Sequence, residues 1–188
     1  MPSIALYDAC VLYPAPVRDL LLRIALTGLV QAKWTDRILD ECFEAILRNR
    51  PDLSREKLAR TRQAMNVAIA DSLVTDYAEL IGGLNLPDPG DNHVLAAAIK
   101  AEAQVIVTAN TKHFPEQELA KHNIKAAHPD DFVYELLDIA PDKISNVVVE
   151  QTAVLKNPPY TEKQLLDRLY ELGLKKSVHR LRTILGIE

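Results

Sequence analysis

The sequence has few of the features that mark secreted, membrane-bound or zinc-binding proteins. Only two cysteines occur, Cys10 and Cys42, and they form no CxxC pair. Nothing in that count supports a secreted disulfide framework, and two buried thiols are expected. No basic start leads into a long apolar segment, and no apolar run approaches the roughly 20 residues that span a bilayer. The expectation is a cytoplasmic protein with no membrane contact. The histidines His93, His113, His122, His128 and His179 show neither HxxxH nor HExxH spacing, so a zinc site has little support. No GxGxxG or Walker motif offers a phosphate cradle. Trp34 is the single tryptophan, and the tyrosines and phenylalanines are scattered, so no RRM-like stacking platform is visible.

What is present suits a globular enzyme-sized unit. The 188 residues allow one α/β domain of average size with a small appendage. Apolar residues make up 48% of the chain, enough for a full core. The net charge of −4 argues mildly against a nonspecific nucleic-acid binder, but its distribution is uneven. Residues 1–142 hold 14 basic and 21 acidic side chains, a net −7, whereas residues 143–188 hold 8 and 5, a net +3. Carboxylates gathered for a divalent metal would produce the first number. An anionic partner would suit the second. Chance accounts for either as well.

Ser3 to Tyr7 reads as a short buried strand that ends in Asp8. The turn Pro14-Ala15-Pro16 precedes a helix over Val17 to Leu26. Thr35 or Asp36 caps a helix through Arg48, and Ser54 caps another to about Ala70. Gly82-Gly83 and Pro87-Asp88-Pro89-Gly90 mark a turn-rich loop, followed by an Ala-rich helix to Ala103. Val105 to Thr108 and Ile124 to Ala127 are two further strands. A helix starting at His128 to Asp131 runs to about Leu137. Beyond Pro141 the pattern is all-helical: Ile144 to Leu155, a break at Asn157-Pro158-Pro159, a capping-box helix opened by Thr161 and Gln164 with Gly173 past its end, and a last helix from about Lys176 to Leu185. Short apolar strands alternating with helices imply a parallel sheet covered on both faces. Ligands of such sheets bind outside the carboxyl ends of the strands, where Asp8 and Thr108 fall.

Each candidate residue has a plain structural explanation beside a chemical one. Asp8 at a strand end suits a metal ligand or nucleophile, and equally a cap for the next turn. Asp91 follows Asp88-Pro89-Gly90, where an acid in the first helical turn is favoured anyway. Glu41 lies about 40° outside the apolar arc of its helix and Glu44 about 60° outside the other edge, so the helical period does not separate them. Thr108-Ala109-Asn110 suits an ordinary strand-to-loop transition.

Four segments fall together in a known order. They are Leu6 to Leu12, Trp34 to Glu41, Leu86 to Ala98, and Val105 to Phe114. In that order they resemble the PIN-domain family, whose best-known members are the VapC-type toxins of bacterial toxin–antitoxin pairs. The resemblance covers most of residues 3–132, and the tail with Lys156-Asn157-Pro158-Pro159 looks like the helical extension of one subgroup. It implies a three-layer α/β/α fold with a central parallel sheet over residues 1–141 and a helical C-terminal extension over 142–188. It also implies Asp8, Glu41 and Asp91 as ligands of Mg²⁺ or Mn²⁺, and so chooses Glu41 over Glu44. Asn110, two residues after Thr108, occupies the fourth family position, and both count among the candidate catalytic residues. Asn110 stands where relatives often carry an acid, which supports one metal more securely than two. His113, where many relatives have an acid, is assigned no role.

The implied activity is hydrolysis of RNA phosphodiester bonds by metal-activated water. A toxin role adds an antitoxin protein, and the family is usually homodimeric. Arg48, Arg50, Arg55, Lys57, Arg60 and Arg62 form the densest basic stretch, either an RNA track or a solvated helical face. Arg18 is a candidate for the crevice. Two other readings stand beside this one. A haloacid-dehalogenase-like phosphatase would use Asp8 as nucleophile, but that chemistry wants an acid where Cys10 stands. A non-catalytic PIN scaffold would bind RNA or protein without cleaving.

Overall fold

The structure is a computed structural model, and it describes residues 2–156 and 158–188. Asn157, part of the expected break, lies outside the described residues. Four parallel strands form one sheet in the order β2-β1-β3-β4. They are β1 (Ser3–Tyr7), β2 (Val30–Lys33), β3 (Val105–Val107) and β4 (Lys125–Ala127). The helices are α1 (Ala9–Leu12), α2 (Ala15–Leu26), α3 (Asp36–Asn49), α4 (Arg55–Ala68), α5 (Ala78–Ile81) and α6 (Asn92–Lys100). They continue with α7 (Glu116–Ala120), α8 (Pro129–Ile139), α9 (Pro141–Val154), α10 (Glu162–Glu171) and α11 (Lys175–Leu185). Two single 3₁₀ turns, Pro89–Asp91 and Thr111–His113, precede α6 and α7.

The sheet is buried on both faces. Ala5, Leu6, Tyr7, Val105, Ile106 and Val107 alternate in direction yet are all inaccessible, which requires helices on either side. The α/β/α arrangement follows. β2 is the strand that periodicity missed, and the short helices α1, α5 and α7 went unread with it. Its four residues bury only Val30 and Ala32 and leave Gln31 exposed, because it lies at the sheet edge. Trp34 continues that edge: its N–H donates to the Ser72 carbonyl at 2.9 Å and its own carbonyl accepts from Val74 at 2.9 Å. The fully buried indole donates to Asn66 Oδ1 at 2.9 Å, which satisfies its one polar atom.

The order β2-β1-β3 puts the chain reversal between β1 and β3. β1 leads on one side to β2 and on the other is paired with β3, so a crevice opens outside their carboxyl ends. The backbone is pinned there. Asp8 N–H donates to the Val107 carbonyl at 3.1 Å, and Thr108 N–H to the Ala127 carbonyl at 3.0 Å.

The C-terminal helices share the core of the sheet. Leu165, Leu166, Leu169, Val178 and Leu181 belong to the same apolar cluster as Leu6 and Ile106. Gln151 Nε2 on α9 donates to the Pro16 carbonyl at the start of α2, at 2.9 Å. The capping box at Thr161 and Gln164 is present on both sides. α10 stops in a Schellman motif: Leu174 N–H reaches the Leu169 carbonyl at 3.0 Å and Gly173 N–H the Tyr170 carbonyl at 3.0 Å. Gly173 has φ +101°, which a side chain would strain. α11 is then fastened to α8 by Asp130, whose carboxylate accepts from the backbone N–H of Lys176 at 2.9 Å and of Ser177 at 2.8 Å.

Candidate functional site

Asp8 sits at the crevice with only 6% of its surface exposed. Its Oδ1 accepts from Ala9 N–H at 2.7 Å, which caps α1. Its Oδ2 accepts from the Thr108 hydroxyl at 2.7 Å and from the Cys10 thiol at 3.2 Å. A carboxylate has about four acceptor sites, so three are filled and one is open. Asp8 is thus both the cap of the bland explanation and a preoriented oxygen ligand. The two accounts do not compete.

Thr108 is wholly inaccessible, and its side chain reaches Asp8 rather than solvent. Its hydroxyl oxygen also accepts from Asn110 N–H at 3.1 Å. Thr108 is therefore a positioning residue for Asp8. Asn110 is exposed, and among the described residues its side-chain amide makes no hydrogen bond. Cys10 is half-buried, not fully buried as expected, and Cys42 is buried. Burial, helped by the charge of Asp8, pushes the Cys10 thiol up to about 12. It stays protonated and can donate to Asp8.

The two glutamates of α3 separate in three dimensions. Glu44 pairs with Arg55 at 2.6 Å, which holds its carboxyl below the ordinary range. Glu41 faces the crevice. Desolvation raises its pKa, the Arg37 contact at 3.1 Å opposes this, and the charges of Asp8 and Asp91 raise it further. Asp91 behaves alike. Desolvation raises its pKa, His113 opposes, and the charges of Asp8 and Asp88 add to the rise. Three carboxylates that were far apart in sequence now feel one another's charge.

Two histidines without a sequence signal complete the site. His93 on α6 is 2% exposed and its Nε2 lies 3.0 Å from Glu41 Oε1. Burial, followed by the Arg37 charge, lowers its pKa to about 4. The contact is thus a neutral N–H donating to a carboxylate, not an ion pair. Nδ1 has no partner, as the unprotonated nitrogen of that tautomer would have. His113 Nδ1 lies 2.8 Å from Asp91 Oδ2. Ligand atoms of Asp88, Asp91 and His113 all fall within 4.8 Å of one another, a group that spacing did not suggest. The Asp88 side chain also accepts from Gly90 N–H at 2.8 Å and so caps the turn Pro89–Asp91.

Two basic features need correction. Arg18 does not point at the crevice; it donates to the Leu12 carbonyl at 2.7 Å and finishes α1. In the stretch from Arg48 to Arg62, Arg50 pairs with Asp52, Arg55 with Glu44, and Arg62 with Asp36 and Asp40. Half of that stretch is thus neutralised, mostly by carboxylates of the neighbouring α3.

The histidine makes metal-free stability depend on pH. In the folded chain the pKa of His93 is depressed from 6.5 to about 4, so its share of stability is present above 6.5 and is lost as pH falls through about 4. That loss is about 3 kcal/mol. Glu41 and Asp91 act oppositely: their raised pKa values favour the fold at low pH, and that share is lost as pH rises through them. In EDTA, urea melts of His93→Gln should therefore lose less stability than wild type between neutral pH and pH about 4. Equal losses in the two proteins would show that His93 is not the acid-sensitive group.

A parallel α/β sheet with clustered acids at its switch point defines the class, and comparison names it. Residues 5–112 match the PIN domain family, and the chain belongs to that family. Residues 129–183 match the family described as VapC50 C-terminal domain. A protein of Mycobacterium tuberculosis (strain ATCC 25618 / H37Rv), VapC50, named for a proposed ribonuclease activity, is 43% identical over 95 residues. The aligned part spans 50% of this chain and 56% of that protein. No solved structure matches the chain. The family assignment leaves no support for the phosphatase reading, and Cys10 stands where that chemistry wants an acid. Among the described residues, no helix is long and apolar enough to cross a membrane.

Proposed function

We propose that the chain is a metal-dependent endoribonuclease, acting as the toxin of a toxin–antitoxin pair. The observation that carries this is the mutual repulsion of Asp8, Glu41 and Asp91 at the sheet's switch point in a PIN-family chain. Like charges held in a partly desolvated crevice cost energy that a divalent cation removes. The donor set fits a hard cation: it is all oxygen among the three carboxylates, with an open acceptor site on Asp8. Asp8, Glu41 and Asp91 would hold Mg²⁺ or Mn²⁺, which supplies a lowered pKa for bound water and polarisation of the scissile phosphate. Thr108 and Cys10 fix the Asp8 carboxylate, and His93 fixes Glu41 by a neutral N–H. His113 and Asp88 offer further donor atoms beside Asp91. The exposed Asn110 adds an amide at the rim without adding charge.

The division into a nuclease domain of residues 1–141 and an extension of 142–188 belongs to the same proposal, as do an antitoxin partner, a homodimer and a cytoplasmic location. Co-expression with the small open reading frame next to the gene tests the partner, through relief of growth arrest.

Cleavage of single-stranded RNA that requires Mg²⁺ or Mn²⁺ and stops in EDTA is the direct test. A second readout does not depend on turnover. Metal at about a hundredfold over its dissociation constant should stabilise the chain by about 2.7 kcal/mol, seen as a raised melting temperature. RNA binding without cleavage, together with no thermal response to either metal, would favour the scaffold reading.

A further inference from the structure

The basic C-terminal helices carry a groove that the candidate site does not use. It has a volume of about 890 Å³ and is walled by Tyr134 of α8, Tyr170 of α10, and Lys175, Lys176, His179 and Arg180 of α11. Two cations stand over aromatic rings. Lys175 Nζ is 5.7 Å from the Tyr170 centroid, and Arg180 Cζ is 5.2 Å from that of Tyr134. Lys176 and Arg180 are tethered at the rim to Asp131 and Asp138. Lys175 and His179 have no carboxylate partner among the described residues. Tyr170 is 46% exposed.

The groove adjoins a second depression beside β4. A smaller depression of about 530 Å³ is lined by Tyr134, which also walls the groove, and by Thr111, which directly follows Asn110. Asp131 lies in this depression and holds Lys176 of the groove at 2.6 Å. The two depressions therefore line up from Thr111, past the carboxyl end of β4, to α11. Its frame is stiff, because Asp130 holds the first turn of α11 through two backbone amides.

We infer that this groove binds the single-stranded RNA flank that extends from the scissile phosphate. The inference rests on the nuclease reading for the direction of the strand. π-Faces interleaved with cations are what hold a single strand without reading its sequence: bases stack on the rings, and phosphates meet the cations. The charge of the segment agrees, since residues 143–188 carry a net +3 in a chain whose net charge is −4. An acidic protein segment would want the same charges but would have little use for two rings already paired with cations. The substrate class is then an RNA with an unpaired stretch beside the cut, not a blunt duplex.

The test is fluorescence anisotropy with the full chain in EDTA, using an unstructured labelled RNA of about twenty nucleotides over a series of salt concentrations. Tyr170→Ala/Lys175→Ala should bind about tenfold more weakly than wild type. Lys175→Gln alone, which keeps the ring, should lower the salt slope by about one phosphate contact. Tyr170→Phe should restore most of the affinity. Circular dichroism and melting confirm the fold of each variant. Unchanged affinity in the folded double variant overturns the inference, and so does wild-type protein that does not bind the RNA. Unchanged RNA affinity with a protein partner lost on pull-down would assign the groove to that partner instead. The two readings fail separately. Loss of binding in a chain that never cleaves RNA keeps the groove and sinks the nuclease, and normal binding by the double variant of an active nuclease does the reverse.

Discussion

Asp8→Asn is expected to reduce RNA cleavage about a thousandfold, roughly 4 kcal/mol of barrier, while the chain stays folded. The reason lies in how little else the substitution disturbs. Asparagine caps a helix about as well as aspartate, so the Ala9 contact that starts α1 survives. The Thr108 hydroxyl and the Cys10 thiol can rotate to suit an amide. What is removed is one negative charge among three. Less repulsion remains for a cation to relieve, and one oxygen ligand becomes neutral. Thermal response to Mn²⁺ should fall together with cleavage, and the melting temperature in EDTA should not. A variant that cleaves as fast as wild type would remove Asp8 from the active site altogether.

Asp130→Ala should cost about 3 kcal/mol of stability, although the residue lies far from the acids in function. Asp130 is 6% exposed, and its two carboxylate oxygens satisfy the second and third amides of α11, those of Lys176 and Ser177. Alanine leaves both without that acceptor, the Ser177 amide buried and the Lys176 amide partly so, at about 1–3 kcal/mol each. It also removes a negative charge from the N-terminal end of the helix dipole. Asp130→Asn should fall between, since one oxygen remains. Urea denaturation measures both. A loss under about 0.5 kcal/mol for the alanine variant, typical of a plain surface change, would mean that α11 is held by apolar packing alone. The groove on α11 should weaken with the tether, so RNA affinity is a companion readout.

Local patterns reported the scaffold well. Caps at Thr35, Ser54 and Thr161 were legible because each is a contact within three residues. Strands β1, β3 and β4 were legible as apolar runs, though β3 and β4 each begin or end a residue inside the expected limits. β2 was not, because the polar Gln31 and Lys33 interrupt its two buried residues. The sequence left the basic stretch between residues 48 and 62 open between an RNA track and a solvated face for a related reason. Its partners Asp36, Asp40 and Glu44 lie on a different helix, and no spacing in one helix shows them.

The candidate site divides along the same line. From the order of its motifs, the sequence by itself determined the family resemblance, the strand-end position of Asp8 and the three acids as candidates. The helical wheel by itself did not separate Glu41 from Glu44, since it gives an angle and not a neighbour; only the family resemblance did. Packing α3 beside α4 engaged Glu44 with Arg55 and left Glu41 to the crevice. Nor did the sequence find His93 and His113, whose partners are 52 and 22 residues away in the chain. Burial, charge proximity and hydrogen-bond partners across the chain are properties of the folded arrangement. Only tertiary structure could bring Glu41 and Asp91 within the field of Asp8, fasten each acid with a donor from another segment, and set a basic aromatic groove on α11.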